Sequence, residues 1–330
     1  MIYYPIMLIA SFLISNKLYK KFISLSNSRL LDIPNNRSMH SSPVPRGGGI
    51  IFAFLTIFSS SIYLFFVGFS SILLIPISLI PLSIVGFFDD LYSLRPIVKY
   101  ITQFITSIFL FFLGGDLFIN LNLNNYSNII LFFLIVIFFT GIINFINFMD
   151  GIDGLVSSCM LVSIATACFI LGINNYVLIL LGSLLSFIML NWHPAKLFMG
   201  DTGSTFLAGI NIGLITQAST IIEALGLFLI LTPFIIDPFV CLIRRYLNGQ
   251  NIFTAHRLHL YQRLKLAGMS EIKICSIYIC STLILSISNI FFNVKVLLIL
   301  ILLTISLGFY LDQKISEPFI RTLNKSIPKR

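Results

Sequence analysis

Five stretches of the chain gather acids, amides and bases where they could do chemistry. The fullest is Asn144-Phe-Ile-Asn147-Phe-Met-Asp150-Gly151-Ile-Asp153-Gly154-Leu155. On a helix Asn144, Asn147 and Gly151 fall on one face at i, i+3 and i+7. Asp150 and Asp153 are one turn apart, and each precedes a glycine that lets backbone approach a ligand. Oxygen ligands without thiolate or imidazole suit a hard cation, Mg²⁺ with Mn²⁺ as the second candidate, and through it phosphates. Two Asp-Gly turns capping helices would use the same residues.

Two further stretches put acids at the end of an apolar run. Phe87-Phe88-Asp89-Asp90 sets two carboxylates side by side, with Arg95 and Lys99 beyond. Adjacent carboxylates repel unless a cation or proton lies between them or water solvates both. Lys99 can reach back to a phosphate or snorkel to the membrane surface. Met199-Gly200-Asp201-Thr202-Gly203-Ser204 puts one acid among small residues at a helix start, which suits a metal–phosphate or a plain N-cap. His256-Arg257-Leu258-His259-Leu-Tyr261-Gln262-Arg263 lies in a long polar stretch, about residues 244–271, that also reads as a basic amphipathic surface helix. An earlier stretch holds Arg37, His40 and Arg46 before Gly47-Gly48-Gly49. Arg and His suit phosphates, and a glycine run entering a helix offers backbone N–H groups to an anion. A basic topogenic loop with a flexible end also accounts for it, and does so without any ligand. Asp237 lies within an apolar segment, where Arg244 about two turns on is its expected structural partner.

The elements that must position these residues are membrane helices. The chain has 330 residues, 57% hydrophobic and only 10% charged, with mean hydropathy +0.99. Soluble domains carry about 25% charged residues. Eleven apolar segments are predicted, at 2–20, 47–68, 70–88, 97–114, 129–149, 154–172, 176–191, 203–218, 222–243, 272–291 and 294–311, or ten if a short one fails to cross. The first has neither the basic start nor the small-residue cleavage pattern of a signal peptide and reads as a retained anchor. The fold expected is all-α and polytopic. A single catalytic membrane domain spans 1–311, and a basic cytoplasmic tail spans 312–330. The five cysteines form no metal-like spacing and read as small core residues.

Charge orients the helices. With the N-terminus outside and the C-terminus inside, all 21 Lys and Arg except Lys295 fall in or beside inside loops. All four histidines, with Asp89, Asp90, Asp150, Asp153 and Asp201, map to the same side. The net charge of +9 is thus topological, and no nucleic-acid partner is expected. A transporter needs polar groups at mid-membrane and access from both faces. This one-sided inventory points instead to an enzyme working at the cytoplasmic surface of the bilayer.

Taken in order, Asp89-Asp90, Asn144-x2-Asn147-x2-Asp150-Gly-x-Asp153-Gly-Leu155, Met199-Gly200-Asp201-x-Gly203-Ser204 and the His256 stretch resemble the polyprenyl-phosphate N-acetylhexosamine-1-phosphate transferases. That superfamily includes the phospho-N-acetylmuramoyl-pentapeptide transferase of peptidoglycan synthesis and the enzymes that start O-antigen glycans. The His-Arg-x-His-x-Tyr-Gln-Arg-Leu wording of the last stretch looks more like the O-antigen branch, whereas the peptidoglycan branch has a run of histidines. The CDP-alcohol phosphatidyltransferases also use Asp-Gly motifs, but with Asp-Gly-x2-Ala-Arg where this chain has Asp150-Gly-Ile-Asp-Gly-Leu.

The resemblance implies a bacterial inner-membrane enzyme in which UDP-N-acetylhexosamine and undecaprenyl phosphate give undecaprenyl-pyrophosphoryl-HexNAc and UMP, with Mg²⁺. A homodimer is compatible with it. It implies Asp201 and Asn147 as metal ligands. Asp89 and Asp90 organise or deprotonate the lipid phosphate, or one of them is a nucleophile. Asp150 and Asp153 complete the catalytic set at the nucleotide. Arg37, His40, Arg46, Lys99, Asn144, His256, Arg257 and His259 bind substrate.

Overall fold

A computed structural model describes residues 3–26, 29–34, 42–115, 125–173, 176–251, 254 and 256–326. Arg37 and His40 lie outside the described residues. The described chain is almost entirely helical. It runs α1 (Tyr3–Leu25), a short hairpin of β1 (Leu31–Asp32) and β2 (Val44–Pro45), α2 (Gly49–Val67), α3 (Ser71–Ser78), α4 (Ile80–Tyr92), α5 (Pro96–Phe112) and α6 (Tyr126–Phe148). It continues through α7 (Leu155–Leu171), α8 (Tyr176–Asn191), α9 (Gly200–Thr216), α10 (Ile221–Leu229), α11 (Thr232–Leu247), α12 (Leu260–Leu266), α13 (Glu271–Phe291), α14 (Val294–Lys314) and α15 (Phe319–Ser326).

Each of the eleven predicted segments coincides with one helix or with a broken pair. Among the described residues, five helices are long and apolar enough to cross a membrane: α2, the α3–α4 pair, α6, α13 and α14. The α10–α11 pair, bent by 71°, makes a sixth. The breaks fall where proline removes a donor: Pro76 and Pro81 flank the first, and Pro233 opens α11. Helices satisfy their own backbone, as hydrocarbon requires. Large apolar side chains such as Phe65, Phe109, Leu134 and Leu302 remain exposed on the outside, as a lipid-facing surface allows.

The helices join at two ends. At one, Gly115 N–H donates to Thr216 O (2.8 Å) and Gln217 Nε2 to Leu113 O (2.7 Å). At the other, Ala195 N–H donates to Asp153 (3.0 Å) and Phe198 N–H to Pro45 O (2.8 Å). Every acid singled out from the sequence is at this second end.

Helix α9 is the centre of the bundle, with Thr202 through Thr216 all buried. Small residues let its neighbours come close. A methyl group on Gly49 would lie 2.3 Å from the Gly203 Cα, so α2 and α9 touch backbone to backbone there. This corrects the reading of Gly47-Gly48-Gly49 as an anion nest. Gly48 N–H donates to Phe198 O (2.9 Å) and Gly49 N–H to Met199 O (3.0 Å). Their donors are consumed in docking the first loop onto the Asp201 stretch.

The boundary at residue 311 falls inside α14, and the following segment is docked. Asp312 holds both Arg244 and Arg263, and Phe319 and Leu323 are buried with Cys241 and Leu258. Arg244 thus pairs with Asp312 and not with Asp237. Asp237 remains structural by another route, described below. Four of the cysteines are buried and Cys280 is exposed on α13.

Candidate functional site

The two adjacent acids at the end of α4 face different ways. Asp90 is 3% exposed and takes the N–H of Asp201 (3.1 Å), that of Thr202 (3.5 Å) and the Thr202 hydroxyl (3.0 Å). It therefore caps the N-terminus of α9 from a neighbouring helix, where positive dipole and unpaired N–H groups favour an anion. Gly200 makes the contact possible. Its φ is +71°, and a Cβ there would lie 2.2 Å from the Asp90 carboxylate.

Asp89 turns the other way. Its carboxylate accepts Leu94 N–H (2.8 Å) and the Lys99 ammonium (3.0 Å). Lys99 also reaches Asp201 at 2.9 Å. One cation from the first turn of α5 thus ties together acids from α4 and α9, both only partly screened from water. Arg46 is a further cation near this group, its charge acting on Asp90.

The end of α6 supplies the third side. Asn147 Oδ1 accepts the Ser204 hydroxyl (2.7 Å), one turn beyond Asp201. Asn144 is turned to α5, donating to Gln103 Oε1 at 2.6 Å. Asp150 follows in the turn between α6 and α7. Its half-buried carboxylate accepts no hydrogen bond among the described residues, and burial with the nearby charges of Asp201, Asp90 and Asp153 holds its pKa well above the usual carboxylate range. Asp153 points to the loop after α8, accepting from Ala195 N–H (3.0 Å) and lying 2.8 Å from His193 Nδ1. Glu271, which also binds Lys265, lies 3.5 Å from that same nitrogen.

The last loop closes the site. The Tyr261 hydroxyl donates to Phe148 O (3.0 Å), and a methyl on Gly151 would lie 2.3 Å from it. The short helix α12 is not a surface helix: Tyr261 through Leu264 are buried. Asp237 is what seats it. This carboxylate caps α12 by accepting Leu260 N–H (2.7 Å) and Tyr261 N–H (3.2 Å), and it takes the Tyr278 hydroxyl at 2.7 Å. His259 packs between Tyr261 and Phe148, with Nδ1 3.7 Å from Asp237. His256 stacks near it, ring centroids 4.8 Å apart. Burial, with His259 and Arg245 nearby, pushes the His256 pKa down to about 3. At neutral pH it is therefore an uncharged imidazole. Arg257 is adjacent in the chain and interacts with Tyr261.

The structure thus gathers Asp89, Asp90, Lys99, Asn147, Asp150 and Asp201 at one end of α9. It sets Asp153 against His193 and turns Asn144 toward Gln103. The oxygen groups around Asp201 are carboxylates and an amide oxygen, a hard set. Among the described residues Asp150 accepts no hydrogen bond, and the Lys99 ammonium faces the two carboxylates of Asp89 and Asp201. A divalent cation would offset that excess, so these residues fit Mg²⁺ or Mn²⁺. Two other clusters among the described residues bring three potential ligand atoms within 4.8 Å of one another, Asp153–His193–Glu271 and Cys241–His256–His259; neither includes Asp201.

Glycosyl transferase family 4 matches residues 71–219, from α3 through the end of α9. The chain is 30% identical over 298 residues to a probable undecaprenyl-phosphate N-acetylglucosaminyl 1-phosphate transferase of Bacillus subtilis (strain 168), covering 82% of each chain. The protein belongs to glycosyl transferase family 4, the polyprenyl-phosphate hexosamine-1-phosphate transferases. This transferase is also 29% identical to a phospho-N-acetylmuramoyl-pentapeptide-transferase of Carboxydothermus hydrogenoformans, over 76% of this chain and 84% of the other. It is 28% identical to a decaprenyl-phosphate N-acetylglucosaminephosphotransferase of Mycobacterium leprae, over 72% and 70%.

Several residues of the transferase's site escape a reading by spacing. Gln103, Tyr261, His193, Glu271 and the capping role of Asp237 become visible only when distant helices meet. Gln103 carried a usable signal, since it is a polar side chain in an apolar run one turn past Lys99. His193 and Glu271 carried none.

Proposed function

We propose that this transferase moves a HexNAc-1-phosphate from a UDP-HexNAc to undecaprenyl phosphate, releasing UMP and starting a cell-surface glycan. The observation that carries this reading is the meeting of Asp89, Lys99 and Asp201 where apolar helices end. A lipid phosphate and a soluble nucleotide can approach that point from opposite sides. The relatives named for undecaprenyl or decaprenyl phosphate and N-acetylglucosamine phosphate support the acceptor and the sugar-phosphate class, and the strong lysine and arginine bias favours the cytoplasmic face.

The chemistry needs little base catalysis. A phosphate monoester has its second pKa near about 6, so the lipid phosphate is already largely dianionic at neutral pH. One of its oxygens attacks the phosphorus bonded to the sugar. The new P–O bond forms as the bond from that phosphorus to the bridging oxygen breaks, and UMP leaves with the electron pair. The obstacle is repulsion between two anions.

Lys99 lies on the approach and offers an ammonium to the incoming phosphate, while Asp89 holds that ammonium in place. Asp90 positions Asp201 by capping α9. Asp201, Asn147 and the unpartnered Asp150 would hold Mg²⁺, which when bound offsets pyrophosphate charge. Asp153, braced by the His193 loop, shapes the nucleotide side. Tyr261 locks the last loop over the site, and Arg257 with the neutral His256 meets phosphate oxygens.

The deciding experiment is UMP release by the purified protein with undecaprenyl phosphate and a panel of UDP-sugars. Turnover with UDP-GlcNAc or UDP-GalNAc supports the reading. Turnover restricted to the UDP-MurNAc-pentapeptide moves the protein to peptidoglycan synthesis. No UMP with any donor in the presence of Mg²⁺ refutes the reaction.

A further inference from the structure

The three helices that carry the site are tied by polar contacts that form a closed circuit. Lys99 to Asp201 (2.9 Å) joins α5 to α9. Ser204 to Asn147 (2.7 Å) joins α9 to α6. Asn144 to Gln103 (2.6 Å) joins α6 back to α5. Within each helix the two members are one turn apart: 99 and 103, 201 and 204, 144 and 147. Gln103 is 2% exposed and Ser204 is fully buried, so neither can meet a substrate directly.

Burying such groups has a desolvation cost that the hydrogen bond roughly cancels, and an apolar pair would pack these helices as well. Directional contacts do what apolar packing does not. Sliding a helix by one residue shifts it about 1.5 Å and rotates its side chains by about 100°. Any such slip breaks at least one of the three contacts. The contact between Thr140 and Ser107 (3.1 Å) extends the α5–α6 seam one turn deeper but closes no circuit.

We propose that Gln103 and Ser204 are positioning residues that lock α5, α6 and α9 in register, so that Asn147 and Asp201 face the same point as Lys99. The proposal rests on the transferase reading above and adds residues to it that touch no substrate. Misplacing a reacting or metal-holding group by about 1 Å costs up to roughly a hundredfold in rate.

The test uses the full-length purified protein with Gln103→Leu, Ser204→Ala and the exchange Gln103→Asn with Asn144→Gln, which restores an amide pair across the seam. Turnover and KM for the UDP-sugar are measured, together with Mn²⁺ binding read from the EPR signal of free Mn²⁺. In each single variant kcat is expected to fall at least about tenfold, with KM within about threefold, and Mn²⁺ affinity to weaken about fivefold or more. The exchange recovers most of both.

Loss of folding in Gln103→Leu leaves Ser204→Ala and the exchange to decide. A folded Ser204→Ala with kcat and Mn²⁺ affinity within about twofold of wild type overturns the proposal. So does a fall in kcat with unaltered Mn²⁺ binding, because the register of the metal-holding pair is then not what these residues set. If the wild type transfers no sugar phosphate, the functional reading fails, while the Mn²⁺ titration still decides the circuit. A wild type that binds no Mn²⁺ overturns the circuit as stated.

Discussion

The Lys99 ammonium lies 2.9 Å from the Asp201 carboxylate, linking residues 102 positions apart in the chain. The same nitrogen is 3.0 Å from Asp89. A single ammonium therefore serves two carboxylates. Lys99→Met is expected to lower kcat by about 10²–10³, the usual cost of removing a group that stabilises transition-state charge. The freed carboxylates then attract a divalent cation more strongly. The Mg²⁺ concentration giving half-maximal rate should fall even as the rate drops. A rise in that concentration would place Lys99 on the metal's side of the site in some other role.

Asp89 and Asp90 separate by what each touches. Asp90 is buried and accepts three hydrogen bonds from the start of α9. Asp90→Asn turns an amide donor toward those donors and should cost about 1–3 kcal/mol, read as a lower melting temperature, with turnover falling alongside. Asp89→Asn should lower turnover by orders of magnitude while leaving the melting temperature near that of wild type. Equal thermal losses in both variants would show that Asp89 is structural as well.

The sequence made the helices legible because lipid imposes a length on every apolar run. It did not show the breaks in α3–α4 and α10–α11, although Pro76, Pro81 and Pro233 were there to read. The acids were legible because carboxylates are scarce in such a chain. What each acid does was not. Asp89 and Asp90 are neighbours in sequence with different partners, and the Asp90 partners lie 111 and 112 residues away. Asp237 was expected to pair with Arg244 on its own helix, yet it caps α12. Local spacing carries no information about helices that meet only after folding. Small residues misled in the same way, since Gly48 and Gly49 serve backbone packing and not anion binding.

His256 gives a prediction in pH. An unfolded histidine titrates near about 6.5. In the folded protein burial and the neighbouring His259 and Arg245 bring His256 down to about 3. The stability this contributes is complete above the unfolded value and is lost as the pH falls from about 6.5 toward 3. Melting temperature followed across that window should decline in the wild type and decline less in His256→Gln. Turnover should show no step assignable to His256 between about pH 6.5 and 8, because the imidazole is neutral throughout. Identical acid limbs in the two proteins would show that His256 is charged in the folded state.

Asp201 carries the metal prediction. It sits in the first turn of α9, its backbone N–H held by Asp90 and its carboxylate by Lys99. Asp201→Asn keeps the size, one oxygen and the cap while removing the charge. A hard cation with few protein ligands depends strongly on each carboxylate. The variant is therefore expected to fold and melt like wild type, to lose transfer, or to need steeply more Mg²⁺ for what remains. EDTA should silence the wild type, and Mg²⁺ or Mn²⁺ should restore it. Full activity in EDTA would refute a metal-assisted reaction. A variant with normal Mg²⁺ dependence would take Asp201 out of the ligand set and leave Asp150 as its carboxylate, half-buried and with no hydrogen bond among the described residues.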